Sequence, residues 1–89
     1  MAQVTVALPV PLRRLVGGAA EVRCTGDSVA AIMGSLAAAH PSLGRGLLDA
    51  DGRPRRFARL YLDDAEVGRL DAPVRDGARL TIVVAMAGG

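Results

Sequence analysis

Gly88 and Gly89, at the end of the chain, are the residues whose type and position point most clearly to chemistry. They follow a predicted strand through a short apolar segment. Because glycine lacks a Cβ and accepts most backbone conformations, such a tail can enter a narrow channel in another protein. It would present the Gly89 carboxylate there, with Gly88, Ala87 and Met86 as the threaded residues. The sequence therefore predicts a flexible tail at about residues 85–89, with a frayed terminus as the alternative.

The serine and histidine of the chain do not form a catalytic arrangement. Ser28 lies in Gly26-Asp27-Ser28, which is close to the nucleophile elbow of α/β-hydrolases. That elbow also needs an acid and then a histidine far downstream, on a much larger sheet. The only histidine, His40, falls in the same predicted helix as Ser28. Ser28 is therefore expected to cap that helix, and we expect no catalytic residue in the chain itself.

Metal and phosphate sites are also absent from the sequence. Asp49-Ala50-Asp51-Gly52 begins like a calcium loop but lacks the glycine and glutamate required later in such a loop, so a turn is expected. Cys24 alternates onto the face of Val22 in a predicted strand and is expected to be a small buried residue rather than a reactive thiol. The absence of lysine excludes a Gly-x-x-x-x-Gly-Lys-Ser/Thr phosphate loop. We expect no metal site and no bound cofactor.

The composition indicates one compact domain spanning residues 1–89. Hydrophobic residues make up 51% of the chain and charged residues 22%, which suits a folded core. The net charge of +2 is too small to indicate nucleic-acid binding. The arginines at 53, 55, 56 and 59 are expected in a solvated loop, with docking to an acidic partner surface as the alternative. Without a signal segment or a run of ~20 apolar residues, we expect a cytoplasmic protein that does not bind membranes.

The apolar pattern predicts strands and one main helix. Residues 3–8 and 20–24 alternate with period two and predict a hairpin. A helical stripe predicts a helix that begins near residue 28 and ends near residue 40, before a proline. Further strands are predicted at residues 57–62 and 78–84. The last strand is expected to run parallel to the first at the centre of the sheet and, being apolar throughout, to be buried on much of both faces.

A short extra turn is expected around Leu43, Leu47 and Leu48. The order hairpin, helix, strand, turn, strand is typical of the α+β class and of the β-grasp (ubiquitin-like) fold, in which a mixed sheet packs on one main helix. If the strands at residues 57–62 and 78–84 are neighbours, their outward-facing side chains form a docking patch beside the tail. The predicted members of this patch are Arg59, Tyr61, Thr81 and Val83.

A set of short motifs, weak singly and specific in combination, runs through the whole chain. They are Val4-Thr5-Val6-Ala7-Leu8-Pro9, Gly17-Gly18, Gly26-Asp27-Ser28-Val29, residues 56–67, Asp76-Gly77-Ala78-Arg79-Leu80-Thr81-Ile82 and Ala87-Gly88-Gly89. In these motifs the chain resembles the MoaD/ThiS family of β-grasp sulfur carriers, and most of all the CysO-type carriers. It departs from the family pattern at Met86, where many relatives have valine, and near Ala85, where a frequent proline is missing.

The resemblance implies a protein that donates sulfur to enzymes without catalysing a reaction itself. An E1-like enzyme of the MoeB or ThiF type would use ATP and magnesium to adenylate the Gly89 carboxylate. A sulfurtransferase or other sulfur source would then convert Gly89 to a thiocarboxylate. A biosynthetic enzyme would accept the sulfur for cysteine or another sulfur-containing metabolite. The alternatives are the small subunit of molybdopterin synthase and a ubiquitin-like modifier attached through Gly89.

Overall fold

The computed structural model describes residues 1–85 of the chain. Within this range the strands and helices follow the predicted order, with additions in three of the connections: a 3-10 helix, a second α-helix and a short strand. The elements in chain order are β1 (Ala2–Ala7), a 3-10 helix (Val10–Val16), β2 (Glu21–Gly26), α1 (Val29–Ala39), α2 (Pro41–Leu47), β3 (Ala58–Leu62), β4 (Ala65–Glu66) and β5 (Arg79–Val84).

The sheet of the described residues has five strands in the order β2-β1-β5-β3-β4. The hairpin strands β1 and β2 are antiparallel, β1 and β5 run parallel at the centre, and β3 is antiparallel to both β5 and β4. The predicted parallel pairing of the first and last strands is therefore confirmed. Because β1 and β5 run in the same direction, both end at the same edge of the sheet.

Helix α1 begins as the sequence predicts. The Ser28 hydroxyl accepts a hydrogen bond from the backbone N–H of Ala31 at 3.1 Å, which satisfies one of the free donors at the helix start. The predicted apolar stripe is buried against the sheet and comprises Val29, Ile32, Met33 and Leu36. His40 follows the last helical residue and donates its backbone N–H to the Leu36 carbonyl, so the predicted helix end is also confirmed.

The expected extra turn is a second helix, α2, of seven residues. Pro41 occupies its first turn, where the missing N–H of proline costs nothing. Leu43 and Leu47 are buried, at 0% and 1% exposure, and extend the core beyond α1. The sequence underestimates this helix because two glycines, Gly44 and Gly46, weaken its helical propensity.

The connection between β1 and β2 also contains more structure than predicted. Residues Val10–Val16 form a 3-10 helix, which ends at Gly17 with a left-handed φ of 72°. Leu12, Leu15 and Val16 pack against the core from this helix. The prolines at positions 9 and 11 stop the strand because proline cannot donate to a sheet ladder, but the apolar residues that follow them require a folded segment to bury them.

The prediction that the last strand is buried on both faces is wrong. Leu80 and Ile82 are at 0% and 2% exposure, whereas Val83 is 44% exposed and Thr81 is half-buried. The buried residues of α1, α2 and the sheet form one cluster on the face of Leu80 and Ile82. The described part of the chain provides no second layer of α-helices, so β5 is a one-sided strand despite its continuous apolar sequence.

Candidate functional site

The predicted tail begins at a fixed point of the sheet. Ala85, directly after β5, donates its backbone N–H to the carbonyl oxygen of Phe57 at 2.8 Å. This bond continues the β3–β5 ladder one step beyond the pair Ala58–Val84. The chain therefore leaves the sheet beside the start of β3. The predicted reactive residue Gly89 and the predicted threaded residues Gly88, Ala87 and Met86 lie outside the described residues.

The structure brings the four predicted docking residues together on one face of the sheet. Tyr61 lies opposite Thr81, and Arg59 lies opposite Val83, in the antiparallel β3–β5 pair. Residues directly opposite in such a pair project to the same face. This is the face away from α1 and α2, since Leu60 and Ile82, on the alternate positions, are buried beneath the helices.

The charged edge of this docking patch is partly neutralised by the next strand. Arg59 forms an ion pair with Glu66 of β4, with 3.3 Å between its Nη1 and the carboxylate oxygen. Both side chains are more than half exposed, so the pair is worth little in stability. Glu66 also lies opposite Tyr61 in the β3–β4 pair. The half-buried ring of Tyr61 therefore lies between an acid on β4 and a threonine on β5.

A second side of this surface was not predicted from the sequence. A shallow cavity of about 350 Å³ lies at the common end of β1 and β5. Its outward-facing strand residues are Ala7, Thr81 and Val83, and the segment before and within the 3-10 helix closes it with Pro9, Pro11 and Arg13. Arg13 is fixed there by donating from Nε to the Leu8 carbonyl at 3.0 Å. The sequence feature that could have indicated this cavity is the pair of prolines, Pro9 and Pro11, close to the basic pair Arg13-Arg14.

Exposed apolar side chains concentrate around the exit of the tail. Val10, Val83 and Phe57 are 71%, 44% and 39% exposed, and among the described residues Met1 is the only other large hydrophobic side chain in this class. Val83 is the penultimate residue of β5, the carbonyl of Phe57 accepts the N–H of Ala85, and Val10 begins the 3-10 helix that follows β1. An apolar rim around a chain exit is suited to contact with another protein.

The other candidate residues have structural roles. Cys24 is 5% exposed, as expected. Burial raises the pKa of its thiol, and a hydrogen bond with the Ser35 side chain opposes this shift to a smaller extent. Asp49 closes a turn, since its carboxylate accepts the backbone N–H groups of Asp51 and Arg53 at 2.9 and 3.0 Å.

Within residues 1–85 no charged side chain is buried, and no three acidic, histidine or cysteine side chains come together as a metal site. Over the same range, no helix combines the length and hydropathy needed to cross a membrane.

Comparison with known proteins identifies relatives along nearly the whole chain. The sequence profile of the ThiS family matches residues 6–89. The sulfur carrier protein CysO of Mycobacterium tuberculosis (strain ATCC 25618 / H37Rv) is 35% identical over 91 residues, covering 97% of this chain and 98% of CysO. The expected resemblance to CysO-type carriers is thus confirmed.

Solved structures agree with the sequence relatives. A chain of the Amycolatopsis orientalis BexX/CysO complex superposes with a TM-score of 0.86 at 36% identity, covering 97% of this chain and 99% of that one. Small archaeal modifier protein 1 (SAMP1) of Methanosarcina acetivorans superposes with a TM-score of 0.87 at 20% identity, covering 100% and 98%. The second likeness concerns the fold alone, and together they confirm the predicted β-grasp architecture. Since both the profile and the CysO alignment span almost all of it, this chain belongs to the ThiS family.

Proposed function

We propose that this protein is a sulfur carrier whose working group is the carboxylate of Gly89, converted in use to a thiocarboxylate. One observation carries the proposal: the ThiS family profile extends through the final residue, Gly89. The similarity to the sulfur carrier CysO along 97% of the chain supports the same role. The exposed apolar rim around Ala85 supports it independently, because a carrier must bring its end into contact with other proteins.

Activation of the carboxylate explains why such a carrier needs partners. A carboxylate is a poor acceptor for nucleophiles for two reasons: its negative charge repels them, and it has no good leaving group. In the first step its oxygen attacks the α-phosphorus of ATP, pyrophosphate leaves, and an acyl adenylate forms. A sulfur nucleophile then adds to the acyl carbon, and AMP departs with the electron pair of the broken C–O bond. When the sulfur comes from a persulfide, cleavage of the remaining S–S bond by a thiol releases the thiocarboxylate.

The catalytic groups of these steps belong to the partners, in the proposed scheme. An E1-like enzyme of the MoeB or ThiF type supplies ATP, magnesium and the adenylation site. A sulfurtransferase or another sulfur source supplies the sulfur atom, and a biosynthetic enzyme accepts it. The existence of a BexX/CysO complex supports docking of a second protein on a carrier of this kind.

The docking patch of Arg59, Tyr61, Thr81 and Val83 is the proposed contact surface for these partners. It lies on the exposed face of β3 and β5, and its nearest pair, Arg59 and Val83, is two residues from the tail exit at Ala85. Tyr61 offers an aromatic side chain, Val83 an aliphatic one and Arg59 a charged edge, which are the components of a transient protein interface. A partner seated there would hold the threaded residues 86–88 in register with its own active site.

Cysteine or another sulfur-containing metabolite is the proposed destination of the sulfur, on the similarity to CysO. The modifier alternative draws on SAMP1, whose 20% identity supports only a shared fold. The molybdopterin alternative likewise draws on a structure at 16% identity. Neither alternative has a specific observation in its favour.

Intact mass spectrometry tests the proposal. Incubation of the full chain with ATP, magnesium, an E1-like enzyme and a sulfur source should raise its mass by about 16 Da, as one oxygen is replaced by sulfur. The matched control is the same chain with a C-terminal amide, which lacks only the carboxylate and should not react. An equal gain in the amide, or an unchanged mass in the parent with several enzymes of this class, would exclude Gly89 as the sulfur-bearing residue.

A further inference from the structure

A groove on the helix side of the molecule is not used by the proposed function. It has a volume of about 590 Å³ and runs between the end of α1, the helix α2 and the loop that leads to β3. The apolar residues Ala37, Pro41, Leu48 and Ala50 line it, and the guanidinium-bearing residues Arg45 and Arg55 border it. Its volume is in the range of binding sites in proteins.

The close packing of α1 and α2 shapes this groove. A Cβ placed on Gly44 would stand 2.6 Å from the Cβ of Ala37, so at this position the two helices approach to backbone contact. The bulk of the groove then lies beside the crossing, where Leu48 leaves α2 in an extended conformation and pairs with Pro54. The floor is therefore aliphatic and held by main-chain contacts on both sides.

The electrostatic character of the groove is basic. The charged residues of its lining are two arginines, Arg45 and Arg55, and one acid, Asp49. Asp49 directs its carboxylate to the N–H groups of Asp51 and Arg53 inside the loop, which leaves the two guanidinium groups as the charges that face a ligand. Arg55 donates to the Arg45 carbonyl at 3.2 Å from Nη2, which brings its side chain across the groove edge.

The groove and the docking patch lie on opposite layers of the molecule but at the same end. Both helices pack beneath the sheet, whereas Tyr61 and Val83 project from the other face. The loop of the groove runs into Phe57, whose carbonyl binds Ala85 at the tail exit. A segment held in the groove would leave the sheet face and the tail free for a second contact.

We propose that this groove binds an acidic peptide segment that carries aliphatic side chains, presented by an enzyme that uses the carrier. The charge of the rim selects carboxylates, and the aliphatic floor accommodates leucine-like side chains between them. The inference rests on the proposed carrier function, because a carrier passed between enzymes benefits from an anchor separate from its reactive end. Single-stranded nucleic acid is disfavoured, since the groove lining contains no aromatic side chain on which bases could stack.

The test is a titration of the isotopically labelled full chain with a synthetic blocked peptide, Glu-Glu-Leu-Asp-Glu-Leu-Glu-Glu, followed by backbone amide NMR shifts. Binding should be saturable, with the largest shifts at Ala37, Gly44 and Leu48. In Arg45→Glu/Arg55→Glu the affinity should fall about tenfold or more, because the rim would then repel the peptide. In Arg23→Glu/Arg69→Glu, a control with the same charge change on other surfaces, it should change less than about twofold.

Each other outcome would overturn the proposal. Absence of saturable shifts, shifts centred on Tyr61 and Thr81, or equal loss in both double variants would show that the groove has no specific affinity for the peptide. Undiminished binding of a peptide with alanine for leucine would exclude a role for the aliphatic floor. Tighter binding of a single-stranded oligonucleotide at the same residues would identify the other class of ligand. The titration needs no activation of Gly89, so its failure is separate from a failure of sulfur loading.

Discussion

Ala85 and Phe57 are joined by a backbone hydrogen bond of 2.8 Å, which fixes the point where the tail leaves the sheet. Gly89 is four positions after Ala85, so it can lie at most about 14 Å from Ala85 even if the intervening chain is fully extended. A partner that acts on Gly89 must therefore come close to the surface around Phe57. The position of the tail exit, rather than the tail alone, determines which residues can meet the partner.

The first prediction concerns the shape of the tail. Gly88→Val should reduce the rate of adenylation at least about tenfold, because a channel that accepts glycine next to the reacting carboxylate has no room for a branched Cβ. The rate is measured as pyrophosphate release with an E1-like enzyme. The free energy of unfolding should stay within about 0.5 kcal/mol of the parent.

Met86→Val is the matched control for this variant. It adds the same β-branched side chain at a position that already carries a side chain, two residues further from the carboxylate. It should be activated at close to the parent rate. If Gly88→Val reacts as fast as Met86→Val, the tail is not threaded through a narrow channel.

The second prediction uses two glycines of α2 that differ only in their surroundings. Gly44→Ala should destabilise the protein by about 1–3 kcal/mol, because the new Cβ would lie 2.6 Å from the Ala37 Cβ and 3.0 Å from its Cα. Gly46→Ala meets no atom within 4 Å and should stabilise the protein by about 0.5–1 kcal/mol through helix propensity. Denaturant unfolding of the two variants measures the difference, and equal effects would contradict the close packing of the helices.

The elements of this fold could be predicted from the sequence where the local sequence pattern agrees with the tertiary environment. The helix start at Ser28 depends on neighbouring residues alone, since the Ser28 hydroxyl accepts the N–H of Ala31. The turn at Asp76-Gly77 combines a local and a distant contribution. Gly77 has the positive φ of 85° that favours glycine, whereas Asp76 accepts the N–H of the distant residue Gln3 at 2.8 Å. The pairing of the parallel strands β1 and β5 followed from the order of elements rather than from any single residue.

The errors arose where burial is decided by distant parts of the chain. Val83 belongs to a continuous apolar run, and its sequence cannot reveal that both α-helices cover only the Leu80 face. Gly44 lowers the helix propensity of α2, which makes the helix hard to predict from the sequence. The same glycine allows α2 to pack closely against Ala37 of α1. Pro11 and Arg13 line the cavity beside the docking patch because they belong to a 3-10 helix. The sequence pattern does not predict this helix, since its folding depends on contacts with the core.

The third prediction separates the thiol from the sulfur chemistry. Cys24→Ser should leave sulfur loading of Gly89 unchanged, since Cys24 is 5% exposed and is not the proposed sulfur-bearing residue. The variant should lose about 1–3 kcal/mol of stability, because a hydroxyl group replaces a buried thiol. If a folded Cys24→Ser protein no longer shows the mass increase of sulfur loading, the sulfur is carried by the Cys24 thiol and not by Gly89.

The fourth prediction concerns pH. Burial raises the pKa of the Cys24 thiol in the folded state, so the unfolded chain loses this proton at a lower pH than the folded one. The free energy of unfolding should therefore fall as pH rises above the ordinary thiol pKa of about 8.5, by at most about 1.4 kcal/mol for each pH unit from this group. In Cys24→Ala the fall should be smaller, and identical pH profiles in the two proteins would contradict the raised pKa.

The last prediction concerns the docking patch and compares two adjacent residues of β3 that face opposite ways. Tyr61 is half-buried on the open face opposite Thr81, whereas Leu60 is 5% exposed in the core opposite Ile82. Tyr61→Ala should weaken binding to the activating enzyme or to the sulfur acceptor by about 1–3 kcal/mol, the loss expected for an aromatic interface anchor.

The same pair distinguishes docking from folding. Leu60→Ala should lower the free energy of unfolding by about 2–5 kcal/mol as a core truncation, and Tyr61→Ala should lower it much less. Calorimetric titration with each partner and denaturant unfolding give the two quantities separately. Because Tyr61 and Thr81 share one face beside the tail exit, Thr81→Arg should impair the same partner by placing a bulky charge next to the ring. If Tyr61→Ala and Thr81→Arg both bind every partner as the parent does, the open face of the sheet is not the docking surface, and the rim at Val10 and Phe57 must be tested instead.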